Sequence, residues 1–355
     1  TSYSYDCRAA LARLARMRGN AAEAASWEAK AAAVAANLKA QLWDEERSMM
    51  FARDAADEVI DVMVHDPIRV MWMGAFEQTM ADRFIGTHIM NTSEFWTPMP
   101  LPSISVSDPR YAALTPNANA WSGRPMGLTL QRAIRAFERY CHHAESVLVG
   151  EKLTEAILGF DGCASNASHC HFTLEIDPMT RTPMHAPWSP ADGYGPMIMA
   201  FLEYTALRIG VVPRPADASM GPLRHEATLL WSAVPNATVT TLASSNYSQV
   251  IGVDTFSLVV DGATMKGLKN GGTLFSCGVG VRVVTTYAGV VSGLVGISKA
   301  PVTVQLTSSA HGSALVSLTV KPNEEWSLSA SAGPHSTQQP TTKLVRAAPF
   351  VAPFK

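Results

Sequence analysis

"NAWSGRPMGLTLQRAIRAFERY", residues 119–140, joins an aromatic connection to an amphipathic helix. Leu130, Ile134, Phe137 and then Cys141 recur at steps of three and four, the spacing of one face of an α-helix. The residues that lead into it are Trp121 and Arg124, not the polar spacer that a plain helix–helix turn needs. The same arrangement recurs on either side. Residues 144–159 read as the partner of this helix, and Met197, Phe201, Tyr204 and Arg208 mark a further one, stopped by Gly210 and Pro213. Upstream, Cys7, Leu11 and Leu14 belong to an Ala-rich helix that ends at "RGN", residues 18–20. Trp27, Ala31, Val34, Leu38 and Leu42 form the stripe of a second, and a third helical region follows "HDP" at 65–67 and runs with a break to about Met90.

Two long connections interrupt these hairpins, at 91–123 and 160–192. Loops of that length are uncommon in a compact domain unless they are functional or disordered. Their content of Phe95, Trp96, Tyr111, Trp121, Phe172, Trp188 and Tyr194 argues against disorder, so they are expected to build a site. From about residue 224 the period changes to two: Phe256, Leu258 and Val260, then Val302, Val304 and Leu306, then Val316, Leu318 and Val320. The reading is a helical part over 1–220, an antiparallel β-sandwich over 224–334, and a Pro-, Thr- and Gln-rich tail over 335–355.

Composition narrows the partners. With 47% hydrophobic residues, 16% charged residues and a formal net charge of −2, the chain gives no electrostatic reason to expect nucleic acid or an anionic membrane. No apolar run of about 18 residues is present, so no membrane span is expected. The chain opens at Thr1 without an initiator Met or a signal-peptide pattern, which reads as processing, trimming or a start within a longer protein. The five cysteines form no C-x-x-C metal frame; Cys163 and Cys170 are either free thiols or a bridge in an oxidising compartment. His169 and His171 in "HCH" lack a third ligand at a recognised spacing, so neither metal nor cofactor is expected. Sequons at Asn91, Asn166, Asn236 and Asn246 lean towards a secreted or extracytoplasmic glycoprotein.

Taken in order, "LARLARMRGNAAEAASWEAKAAAVAANLKAQLWDEERSMMF", "EFWTPMPLPSISVSDPRY", "NAWSGRPMGLTLQRAIRAFERY" and "EIDPMTRTP…DGYGPMIMAFLEY" resemble successive stretches of the (α/α)6-barrel glycoside hydrolases. That clan includes trehalases, processing α-glucosidases and mannosylglycerate hydrolases. The segment "GVRVVTTYAGVVSGLVGI" looks like part of the accessory domain that follows the barrel in some relatives. The resemblance implies part of an (α/α)6 toroid followed by the β module. It also implies an inverting hydrolase of α-linked glucosides, mannosides or related oligosaccharides. Such enzymes use one carboxylate to protonate the leaving oxygen and another to activate water on the opposite face.

The clan's general acid lies in a segment that this chain does not match; Asp6 in "SYDCRAA" is the nearest acid and reads as part of a helix start. An upstream segment or a partner chain is therefore expected to complete the barrel and supply the acid. The clan's base is a Glu three residues ahead of an Asn or Asp followed by Pro. Asp177-Pro178 fits that anchor, but Leu174 occupies the third position before it and Glu175 lies one residue later. Glu175 is the candidate base; Asp177 reads as a turn-former. By the same resemblance Trp121 offers a flat face to sugar C–H groups and Arg124 a fork of donors. Trp96, Ser103 and Trp188 are wall candidates, with Asp192 and Tyr194 entering the last helix as cap and lining. The competing reading is a non-catalytic carbohydrate-binding or structural glycoprotein that kept the scaffold. Leu174 and the unmatched acid segment favour it; Trp121, Arg124 and the aromatic loops favour the enzyme.

Overall fold

The Gly-Asn stop at the end of the first helix folds as its residue types require. In this computed structural model α1 spans Ser2–Met17 and α2 spans Ala21–Leu42. Gly19 closes α1 at φ +75, with its N–H on the Arg16 carbonyl and the next N–H, of Asn20, on the Ala15 carbonyl. Asn20 then caps α2: its side chain accepts from the Glu23 N–H at 3.1 Å and donates to the Glu23 carboxylate at 3.0 Å. Described are residues 2–112, 121–140, 142–158, 172–184 and 193–208 and the strand segments between 228 and 347, most of the latter as backbone.

After two short ribbons, β1 (Trp43–Asp44) with β2 (Met49–Met50) and β3 (Ala52–Arg53) with β4 (Val59–Ile60), the helical region expected from "HDP" appears in pieces. These are α3 (Pro67–Met73), α4 (Gln78–Phe84) and a π-helical turn over Ile85–Ile89. Pro67 starts α3 at the position where a missing N–H costs nothing, and Gly74 ends it in the left-handed conformation. Then come α5 (Gly127–Arg139), α6 (His143–Leu158) and α7 (Gly195–Arg208), the latter after the small ribbon of β5 (Glu175–Ile176) and β6 (Pro183–Met184). Helices α1, α3, α5 and α7 stand side by side in one row, while α2 lies against α1, and α6 against α5 and α7. That is an arc of a two-layered helical toroid. Its core holds Trp96, Phe84, Phe95, Phe137 and Tyr204.

The two ends of the arc differ from its middle. Leu11 and Leu14, the apolar positions of the first helix's pattern, are 39% and 54% exposed, and Met17 is 69% exposed. At the other end Met199 and Leu202 of α7 are open to solvent. Small residues Ala12 and Ala15 face inward on α1 instead, because α2 packs closely there. Two apolar edges of this kind lose about 25 cal/mol for every Å² left in water. Residues 1–220 expressed alone should therefore aggregate or need a partner segment. A monomeric fragment of that length with a cooperative melt would rule this out.

A charged cluster ties α4 to the α5–α6 turn. The buried His142 ring places Nε2 2.9 Å from the Asp82 carboxylate and Nδ1 3.4 Å from Glu145. Burial opposes the charge on the ring, but the two carboxylates outweigh it and raise the imidazole to about 9. A folded pKa above the unfolded value near 6.5 gives stability that is full below that value and lost as pH rises through the folded one. The unfolding midpoint in denaturant should thus fall between about pH 6.5 and 9, by at most about 3 kcal/mol from this group. His142→Gln should flatten that slope; an unchanged slope would exclude His142 as its source.

From residue 228 two antiparallel sheets follow. The first has six strands, in the order β15 (Ala314–Val320), β14 (Val302–Ser308), β11 (Gly272–Gly278), β10 (Thr264–Lys269), β9 (Asp254–Asp261) and β8 (Tyr247–Ile251). The second has five: β17 (Thr341–Ala347), β16 (Glu325–Ser331), β13 (Val291–Ile297), β12 (Arg282–Thr286) and β7 (Thr228–Ser232). The period of two is visible in β9, where Leu258 is buried and Val259 is exposed. Asn270 and Gly271, both at positive φ, make the two-residue turn from β10 to β11 that "KNGG" foretold. One boundary changes: residues 341–347, expected within a tail, pair with β16 from Ser331 to Glu325. The flanking Pro and Gln residues dominated the composition and hid a strand of "TTKLVRA". No described helix is long and apolar enough to cross a membrane.

Candidate functional site

Short extended pieces from distant parts of the chain form one wall. Val64 bridges to Ile104, Pro102 to Pro125 and Met126 to Glu175, all antiparallel. Glu175 and Ile176 continue the series by pairing with Met184 and Pro183. Pro102 and Pro125 face each other in an isolated bridge and Pro183 lies in a ladder of two pairs, so the absent N–H groups interrupt no long ladder. Ser103 is its central link. The Ser103 N–H donates to the Arg124 carbonyl and its own carbonyl accepts from the His65 N–H, each at 3.3 Å. Its hydroxyl accepts from the Gly123 N–H at 2.8 Å. Ser103, buried, thereby fixes the turn that carries Trp121 and Arg124.

Arg124 and Glu175, both singled out by sequence, meet as a buried ion pair between guanidinium Nη1 and carboxylate Oε2. Glu175 is wholly buried, and its second oxygen, Oε1, has no hydrogen-bond partner among the described residues. The Thr173 hydroxyl donates to the Glu175 carbonyl at 2.7 Å and holds the backbone there. Leu174, at the spacing expected for the base, is half-buried. Asp177 behaves as a turn residue: its Oδ1 accepts from the N–H groups of Met179 and Thr180 at 2.7 and 2.9 Å.

Trp121 keeps 46% of its surface open, an unusual state for an indole beside so buried a pair. Its ring meets His65 edge to face, with centroids 6.4 Å apart. His65 is a residue that sequence reading passed over, because "HDP" looked like a helix start alone. Burial pushes the His65 imidazole down, so the ring is neutral near pH 7. Its Nδ1–H then donates to the Leu101 carbonyl at 3.3 Å, and Nε2 accepts from the Thr129 hydroxyl at 3.1 Å. Leu101 sits buried between two prolines at φ +64, where a side chain is rarely found. Such a conformation costs of order 1–3 kcal/mol and persists because the surroundings impose it.

Tyr194 lies half-buried at the entry to α7, its N–H on the Phe172 carbonyl at 2.7 Å. Burial raises its phenol, and the charge of Arg132 opposes that. The first turns of α5 and α7 touch at Gly127, where a Cβ would come within 2.5 Å of the Met197 nitrogen, and this brings Tyr194 to the same end of the arc. Trp96 is placed otherwise than expected. It is 1% exposed, in the core, with the Lys152 ammonium 5.0 Å from its ring centroid, and so presents no face to a ligand. A Trp between Phe95 and "TP" is equally at home in a core or a wall, and the sequence does not separate the two. Trp188 and Asp192, with His169, His171 and the Cys163–Cys170 pair, lie outside the described residues. Among the described residues no group of three His, Cys, Asp or Glu side chains is gathered to hold a metal.

No curated protein matches the chain. Among solved structures, a mannosylglycerate hydrolase of glycoside hydrolase family 63 from Thermus thermophilus is 19% identical, with a TM-score of 0.43 over 58% of this chain and 45% of that one. The neutral trehalase of Saccharomyces cerevisiae is 11% identical at TM-score 0.40, covering 51% of this chain and 30% of that one. A sialidase is 13% identical at TM-score 0.52, covering 81% of this chain and 26% of that one. The chain thus spans less than half the length of the solved structures it matches. Residues 1–155 match the family model of the mannosylglycerate hydrolase MGH1-like glycoside hydrolase domain, and with it the chain resembles the (α/α)6-barrel glycoside hydrolases.

Proposed function

We propose that this chain forms part of an inverting glycoside hydrolase acting on α-linked glucosides, mannosides or related oligosaccharides. The observation that carries the reading is the Arg124–Glu175 pair beside the open face of Trp121. Glu175 supplies the base: Oε2 is held by the guanidinium, and Oε1, unclaimed by any donor among the described residues, takes the proton from the attacking water. Trp121 stacks on the sugar, and Tyr194 borders the same pocket. The general acid comes from an upstream segment or a partner chain that covers the apolar edges of α1 and α7. The two sheets pack as an accessory sandwich, and the sequon at Asn91 suits a secreted protein.

A second reading draws on the same pair. A carboxylate closed from solvent and locked to an arginine can also be an anchor in a carbohydrate-binding or structural glycoprotein. Release of free sugar from α-glucosides and α-mannosides, followed by NMR of the anomeric proton, separates the two. Hydrolysis with inverted configuration supports the enzyme; binding without turnover, with the complementing segment present, supports the binding protein. With the complementing segment present, deleting residues 224–355 should lower stability or solubility and spare sugar binding, measured by calorimetry. If isolated 224–355 carried all the affinity, the helical site would be the wrong place to look.

A further inference from the structure

Trp121 is an exposed indole on a turn whose next two residues are pinned through the backbone. The Ser122 carbonyl accepts from the Ala112 N–H at 2.8 Å, and the Gly123 N–H donates to the Ser103 hydroxyl at 2.8 Å. Such pins fix the main chain and leave a side chain its own staggered rotamers. A stacking face needs one orientation, because a ring that must be ordered on binding costs affinity. A contact able to select one comes from His65, whose ring meets the indole edge to face, at 79° with centroids 6.4 Å apart.

The His65 ring is itself locked. It is buried, and its two nitrogens are spent on separate pieces of the wall. The Leu101 carbonyl can only accept, so Nδ1 carries the proton, and Nε2 is left to accept from the Thr129 hydroxyl in the first turn of α5. Rotation of the ring breaks both bonds. Its main chain is tied as well: the N–H donates to the Ser103 carbonyl at 3.3 Å, and the carbonyl accepts from the Ile68 N–H at 3.0 Å. Linking Leu101 to Thr129 requires only one donor and one acceptor, which a side-chain amide also offers. What the imidazole adds is a rigid aromatic edge, and that edge is the part that Trp121 meets.

We propose that His65 is a positioning residue for Trp121, its locked ring holding the indole in the orientation that presents a face to the sugar. The inference rests on the reading of Trp121 as the stacking face. Two variants separate the ring from its hydrogen bonds. His65→Gln keeps a donor for Leu101 and an acceptor for Thr129 and loses the aromatic edge. His65→Phe keeps the edge and leaves the Leu101 carbonyl stranded. Calorimetry with methyl α-glucoside and methyl α-mannoside, the complementing segment present, measures affinity. Fluorine NMR of fluorotryptophan-labelled protein follows the indole, its signal assigned by loss in Trp121→Ala. His65→Gln should move the Trp121 signal and weaken the sugar by about three- to tenfold, the range of an aromatic edge contact, at a nearly unchanged unfolding midpoint. His65→Phe should lower the midpoint and keep most of the affinity. Affinity and midpoint falling together in both variants would mean a role in the fold alone and overturns the inference. An unmoved signal in His65→Gln overturns it too, as does a moved signal with full affinity; if Trp121→Ala has meanwhile lost the sugar, the stacking face stands without this support. Full affinity in Trp121→Ala, or no binding of either glycoside by the unaltered protein, removes the stacking reading and the inference with it. If His65→Phe does not fold, the signal, affinity and midpoint of His65→Gln decide.

Discussion

Replacing Glu175 by Gln in the complete protein should cut turnover by at least about a hundredfold, the low end of what a general base contributes. The amide keeps the size of the side chain and can still accept from Arg124 Nη1, so sugar affinity should survive. What it cannot do is take a proton from water. The informative quantity is therefore the ratio of kcat to its unaltered value at constant sugar affinity, measured with the complementing segment present. Turnover within a few-fold of the original would remove Glu175 from the chemistry and leave it as an anchor. A loss of both affinity and turnover would point to a collapsed pocket, which a denaturation curve on the same sample identifies.

Arg124→Ala should lower unfolding stability by about 3–5 kcal/mol, the penalty for leaving one member of a buried ion pair uncompensated. Both side chains are almost fully enclosed, 7% and 0% exposed, so solvent offers Glu175 no replacement for the lost partner. The double replacement Arg124→Met with Glu175→Leu should recover most of that loss, because two apolar side chains of similar size remove the stranded charge. Urea denaturation of the three proteins gives the comparison directly. A loss below about 1 kcal/mol for Arg124→Ala would match an exposed pair and contradict the burial seen here.

How much of this was legible beforehand depends on the length scale of each feature. Helices α1, α2, α5 and α7 repeat their apolar residues every three to four positions over several turns, so the pattern outlasts local noise. Gly19 and Asn20 each have a specific backbone reason to be where they are, and both serve it. The pairing of Arg124 with Glu175 could be guessed only through the resemblance, since 51 residues separate them. Isolated bridges such as Met126 with Glu175 leave no alternation to read, and His65 carries no mark that distinguishes a buried link from a helix start. Burial was the poorest guess for lone side chains. Trp96 went to the core, while Leu11 and Leu14 stayed outside, because an apolar residue's fate depends on which neighbours the fold supplies.

The ribbon of single bridges has a kinetic meaning. The protected amides of His65, Ser103, Ser105, Gly123 and Asp177 each lean on a neighbouring piece, not on their own element. The inner pieces, 102–105, 123–126 and 175–177, are each held between two others, so their rungs do not open one at a time. Deuterium must then reach these amides through one shared opening event, with nearly the same free energy at each. Helix-end amides such as those of α1 exchange independently instead. The wall around Glu175 is thus a single cooperative unit, and anything that orders one strand of it slows exchange in all the others.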